Sequence, residues 1–158
     1  MKTDFTHVDS GGKAVMVDVA GKKITRRKAV AEGGILMNRK CFASIRDGTA
    51  KKGAVLNAAR IAGIMAAKRT SELIPLCHTL NLSTVEIEFT LFPETCEVKS
   101  ICTVCCEGKT GVEMEALAGV TVALLTVYDM CKAIDRRMKI GNIQLVEKTG
   151  GKSGHFQL

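Results

Sequence analysis

The chain has 158 residues, 46% of them hydrophobic, and carries a formal net charge of +7 with a pI near 9.1. That length and apolar content suit one domain, expected to span residues 1–158, with a core that needs no disulfide staples; seven cysteines, an odd number, behind the polar start Met1-Lys2-Thr3-Asp4-Phe5-Thr6-His7 read as reduced thiols of a cytoplasmic protein. The positive balance calls for an anionic partner, and five Phe, one Tyr and no Trp offer little for stacking bases, so a compact phosphorylated molecule fits better than nucleic acid.

In chain order, the first third carries turn signals at Asp9-Ser10-Gly11-Gly12 and Ala20-Gly21, with an extended run from Ala14 to Val19 between them. It reads as loops and short strands. Asn38 is placed to cap a short helix from Arg39 to Asp47, which Gly48 would close. From Ala54 to Arg69 an Ala-rich stretch repeats Ile61, Ile64, Met65 and Lys68 at helical spacing, and Pro75 bars its continuation.

Leu82 to Phe92 alternates Leu82, Val85, Ile87, Phe89 and Leu91 with Thr84, Glu86, Glu88 and Thr90, the pattern of a half-buried strand. Pro93-Glu94 turns the chain into an antiparallel partner from Glu97 to Cys106, with Lys99 and Thr103 facing solvent. The longest helix is expected from about Val112 to Asp135, acidic in its first turn and followed by Arg136-Arg137. Glu113, Glu115, Asp129 and Lys132 interrupt its apolar run, so no membrane span is expected. A last strand from Ile140 to Val146 leads into a Gly-rich tail. Together these elements predict an α+β fold, two main helices against an antiparallel sheet.

Five constellations bear on chemistry. Gly151-Lys152-Ser153 matches half of a phosphate-binding P-loop, but Val146 stands where that loop needs Gly and no helix can follow. What remains is exposed amides beside Lys148 and Lys152, able to grip a phosphate, or else an ordinary tail. Cys102 and Cys105 have Cys-x-x-Cys spacing, yet on a strand they face opposite sides and no second pair completes a set, so no metal is expected. His78, one of three histidines, adjoins Cys77 after the Pro75 turn and reads either as a surface histidine or as half of a thiol site.

Asp129 and Lys132, three apart on a helix, form either a stabilising pair worth about 0.2–0.5 kcal/mol or an acid/base couple. Lys51-Lys52-Gly53 precedes a helix N-terminus and suits an anion, or is a solvated charge run. These residues alone establish an anion-binding domain and leave catalysis open.

Taken in order, the segments Met16-Val17-Asp18-Val19, Lys52-Gly53, Ala59-Arg60-Ile61-Ala62-Gly63, Leu73-Ile74-Pro75-Leu76-Cys77-His78, Gly111-Val112-Glu113-Met114-Glu115-Ala116 and Tyr128-Asp129-Met130-Cys131-Lys132 resemble the molybdenum cofactor biosynthesis protein C family over nearly the whole chain. The resemblance implies a ferredoxin-like fold and a hexamer of three dimers. It also implies a lyase reaction in which 3′,8-cyclo-7,8-dihydro-GTP becomes cyclic pyranopterin monophosphate with release of pyrophosphate. Lys52, Asp129 and Lys132 take the catalytic positions and Leu76, Cys77, His78, Glu113, Met114 and Glu115 the substrate-contacting ones, with Lys68, Lys148 and Lys152 as further phosphate or pterin contacts.

The family implies no resident cofactor, leaves open whether magnesium travels with the triphosphate, and couples the enzyme to a radical enzyme that makes the substrate from GTP. Ala54 and Thr79 depart from the family's usual residues beside Lys52 and His78. Glu113 and Asp129 are 16 positions apart on one predicted helix, about 24 Å at 1.5 Å per residue. A single nucleotide does not reach both ends, so active sites shared between subunits are expected.

Overall fold

A computed structural model describes residues 7–9, 11–50, 54–152 and 154–158. Its sheet is built around a strand that hydropathy does not announce. β1 spans Thr25–Leu36 and contains Arg26-Arg27-Lys28 and Gly33-Gly34, residues that seldom mark a central strand. The inward face is regular all the same: Arg27, Ala29, Ala31, Gly33 and Ile35 are buried. Small side chains are needed there because the longest helix crosses above; a Cβ on Gly33 would lie 2.9 Å from Val120 Cγ1 and 3.0 Å from Leu124 Cδ1. The expected loops and short strands of the first third are corrected to this extent. Residues 14–19 form no strand, and only Ala14 bridges to Val8.

After β1 come α1 (Arg39–Arg46), α2 (Val55–Lys68), α3 (Thr70–Leu73), β2 (Leu82–Phe92), β3 (Glu97–Gly108), α4 (Glu113–Cys131), β4 (Lys139–Thr149) and β5 (Phe156–Gln157). The sheet is antiparallel in the order β2-β3-β1-β4-β5, with α2 and α4 on one face. The succession β1-α2-β2-β3-α4-β4 with β1 and β3 at the centre is the ferredoxin-like α+β arrangement.

Local signals explain the boundaries. Asn38 Oδ1 accepts a hydrogen bond from Cys41 N at 2.8 Å and starts α1, and Gly48, at φ +67°, follows its end. In β2, Leu82 and Val85 both pack on the core although three residues apart, because a bulge between Leu82 and Thr84 resets the alternation. α4 ends at Cys131, earlier than expected. Asp135 lies outside the helix, where its carboxylate accepts from Asn38 N at 2.7 Å and Arg137 N at 2.9 Å. The Gly-rich tail turns back as β5, with Glu147 opposite Gln157 and Gly150, Gly151 and Gly154 at positive φ.

α4 has the length and hydropathy of a membrane span, yet Ala116, Val120, Ala123, Leu124 and Val127 are wholly buried within the fold. It packs so closely on α2 that a Cβ on Gly63 would lie 2.7 Å from the Gly119 carbonyl oxygen. Gly63→Val is therefore expected to destabilise by about 1–3 kcal/mol through overpacking, seen as a fall in Tm of about 2–4 °C per kcal/mol. An unchanged melting curve would contradict this contact.

Candidate active site

Two short segments face each other across a cleft of about 730 Å³. One follows α3, where Ile74 N donates to Thr70 O at 2.8 Å and Cys77 N to Ile74 O at 3.1 Å, wrapping the chain around Pro75. The other is the first turn of α4. Leu76, Cys77 and His78 line the cleft from the first segment, and Glu113, Met114 and Glu115 from the second. Sequence spacing alone did not bring these segments together; the packing of α3 and α4 does so.

His78 Nε2 lies 2.9 Å from the Val17 carbonyl oxygen. Because a carbonyl only accepts, Nε2 carries the hydrogen, and in the neutral ring Nδ1 is then an acceptor. Glu113 and Lys148 form an ion pair at 2.9 Å, each about a quarter exposed. Lys148 comes from β4, opposite Ala29 of β1, so the register of the sheet carries this cation to the mouth of α4.

Glu115 is 4% exposed. Burial, followed by the neighbouring Glu113 charge, pushes its carboxyl above the usual range, against the opposing pull of its own backbone N–H. A carboxyl with a raised folded pKa holds its proton more tightly in the folded state. Its contribution to stability is thus intact below the ordinary value of 4.5 and lost as pH rises through the folded value. Glu115→Gln is accordingly expected to raise Tm at pH 7 and to have little effect on it near pH 4, as thermal melts at both pH values would show. A fall in Tm at pH 7 would contradict the assignment.

Burial, and then the Glu115 charge, also raise the Cys77 thiol. An activated thiolate needs the opposite environment, so the Cys77-His78 neighbourhood does not favour thiol catalysis. Cys102 is buried on the core face of β3 and Cys105 lies on the other face, with the Cys102 thiol pushed up to about 12 by burial.

One residue here escaped sequence reasoning. Arg27 is only 8% exposed, and its guanidinium donates to the carbonyls of Gly108 at 3.4 Å and Lys109 at 3.3 Å. It also packs against Gly151, where a Cβ would collide with it. Arg27 thus ties the β3–α4 loop to the glycine turn after β4. In the sequence it is one of three consecutive cations, and nothing there marks it as the buried one.

The other residues singled out from the sequence lie elsewhere. Lys68, at the end of α2, lines a neighbouring cleft of about 530 Å³ that shares Leu80 with the first. Lys152 is exposed on the β4–β5 turn. Asp129 and Lys132 form a 2.6 Å ion pair at the far end of α4, with side chains 59% and 53% exposed, and neither lines the large cleft. Lys52, with Lys51 and Gly53, falls outside the described residues. Of the two departures, Ala54 precedes α2 without a side-chain cap, and Thr79 Oγ1 donates to Ser71 Oγ at 3.3 Å.

A ferredoxin-like sheet bearing an apolar cleft with carboxylates and histidine at its walls, one of the carboxylates paired with Lys148, is the scaffold of an enzyme for a small polar molecule. The MoaC family profile matches residues 16–151, and the chain belongs to that family. A relative from Clostridium botulinum, named cyclic pyranopterin monophosphate synthase, is 58% identical over 99% of this chain and 98% of its own length. Proteins of the same name from Heliobacterium modesticaldum, 60% identical over 96% of each chain, and Chloroflexus aurantiacus, 54% identical over 98% of this chain and 94% of its own, are similarly close.

Proposed function

We propose that this chain is a cyclic pyranopterin monophosphate synthase, a cytoplasmic lyase of molybdenum cofactor biosynthesis that turns 3′,8-cyclo-7,8-dihydro-GTP into cyclic pyranopterin monophosphate and pyrophosphate. The observation that carries this reading is the meeting of Leu76-Cys77-His78 with Glu113-Met114-Glu115 in one cleft, in a chain that matches proteins of that name nearly end to end. Ile74, Leu76 and Met114 offer an apolar seat for a fused ring, and Glu113 and Glu115 offer acceptors for its N–H groups. Lys148 and Lys152 supply charge and hydrogen bonds for phosphate oxygens, and His78, held through Nε2 by the Val17 carbonyl, offers its Nδ1 lone pair to a substrate N–H or O–H.

Opening the purine, rebuilding it as a pterin and closing a cyclic phosphate require repeated proton transfers. Lys52, Asp129 and Lys132 are the groups assigned to them. Expelling pyrophosphate develops negative charge that nearby lysines neutralise. The reading includes no resident cofactor.

Each site is completed by a second subunit. The outer side of α4 supports this: Met114 is 38% and Leu125 51% exposed, with Ala118 and Val122 half-buried between them. These positions share one helical face and run from the cleft toward Asp129. Packing of that stripe on its own copy about a two-fold axis, antiparallel, sets the Asp129-Lys132 end of one chain against the Glu113-Glu115 end of the other. Three such dimers make the hexamer.

The reading is tested by incubating purified protein with 3′,8-cyclo-7,8-dihydro-GTP beside a Lys52→Ala control, following pyrophosphate and the oxidised pterin product. Product from the native protein and none from the control is the expected result. No product from a folded, oligomeric native sample would overturn it.

A further inference from the structure

We infer that the surface around the far end of α4 is a capture site for polyphosphate, which concentrates the substrate's phosphate chain beside the Asp129-Lys132 pair. This rests on the function proposed above. Arg39, Lys40, Lys132, Arg136, Arg137 and Lys139 are all exposed, and three contacts bring their backbones to one end of the molecule. Asp135 Oδ2 accepts from Asn38 N at 2.7 Å, which ties the start of α1 to the turn after α4. Tyr128 Oη donates to the Arg136 carbonyl at 3.1 Å, which folds that turn back on the helix. Lys139 opens β4 opposite Leu36, two residues before Asn38.

The arrangement does not serve stability. Asp135 is 6% exposed and occupied by the backbone N–H groups of Asn38 and Arg137, so it draws the cations together from beneath. Asp129 is exposed and held by Lys132 at 2.6 Å. Arg39 and Lys40 occupy the first turn of α1, which has no acidic residue, where the helix dipole disfavours positive charge. Crowded like charges destabilise a compact state unless a counterion joins them. A polyphosphate supplies several negative charges in one chain, and Arg side chains meet its oxygens in bidentate geometry.

The cluster also accounts for where much of the chain's charge of +7 is concentrated. None of Arg136, Arg137 and Lys139 has a place in the catalytic or substrate-contacting set, so they can be altered without touching it.

The test compares the native enzyme with an Arg136→Ser/Arg137→Ser/Lys139→Ser variant in two readouts: binding of inorganic triphosphate across a salt series, and turnover of the cyclic dihydro-GTP substrate. The variant is expected to bind triphosphate about tenfold more weakly at low salt, with a flatter salt dependence. It should lose kcat/KM in proportion while keeping kcat at saturation. Native-like triphosphate binding and an unchanged salt slope would overturn the capture site, even with turnover intact. Weakened triphosphate binding in the variant, together with no turnover by the native enzyme, would uphold the anion site and remove the synthase reading instead.

Discussion

Lys132→Ala is expected to lower kcat by about two to four orders of magnitude, the usual contribution of a positioned proton-transfer group, while leaving Tm almost unchanged. The two effects separate because the Asp129-Lys132 side chains are 59% and 53% exposed, and exposed ion pairs contribute about 1 kcal/mol or less to stability. Asp129→Asn should behave alike, since the two groups share a 2.6 Å hydrogen bond. Removing both should then cost no more than the worse single change, as for groups that act as one. Steady-state kinetics with thermal melts would measure this. A Lys132→Ala enzyme that keeps kcat within a few-fold of native would reduce the pair to an ordinary helix-end contact.

Much of the scaffold was legible because its elements carry regular local signals. The β2–β3 hairpin showed through alternation, α1 through Asn38, α2 through apolar periodicity, and α4 through a long apolar run with acidic residues in its first turn. β1 was not legible, because its core face is made of Ala29, Ala31 and Gly33, residues chosen for the closeness of α4 and not for strand propensity. The end of α4 was overrun for a related reason. Asp135 continues the helical pattern in sequence, but the N-terminus of α1, almost a hundred positions away, recruits its carboxylate.

The candidate site was legible mainly through the family resemblance. Residue chemistry alone left His78 and the Asp129-Lys132 pair balanced between plain and catalytic readings. The cleft itself depends on long-range packing that no local pattern encodes: Lys148 reaches Glu113 from 35 positions away by the register of β4 on β1. Arg27 was hidden for the same reason, as burial within a run of cations is decided by strand phase. The length of α4, by contrast, was readable from the start and separates the two halves of the catalytic set.

That separation leads to the most direct test of the account, mixing Glu113→Ala and Asp129→Ala chains and allowing subunits to exchange. In a two-fold dimer with shared sites, each mixed dimer carries one doubly damaged site and one intact site, and random exchange makes half of the dimers mixed. The mixture is therefore expected to recover about a quarter of native activity, although each parent alone is nearly inactive. A mixture no more active than its parents, with exchange verified by mass spectrometry of differently tagged chains, would show that each site is built from one chain and would contradict the shared-site mechanism.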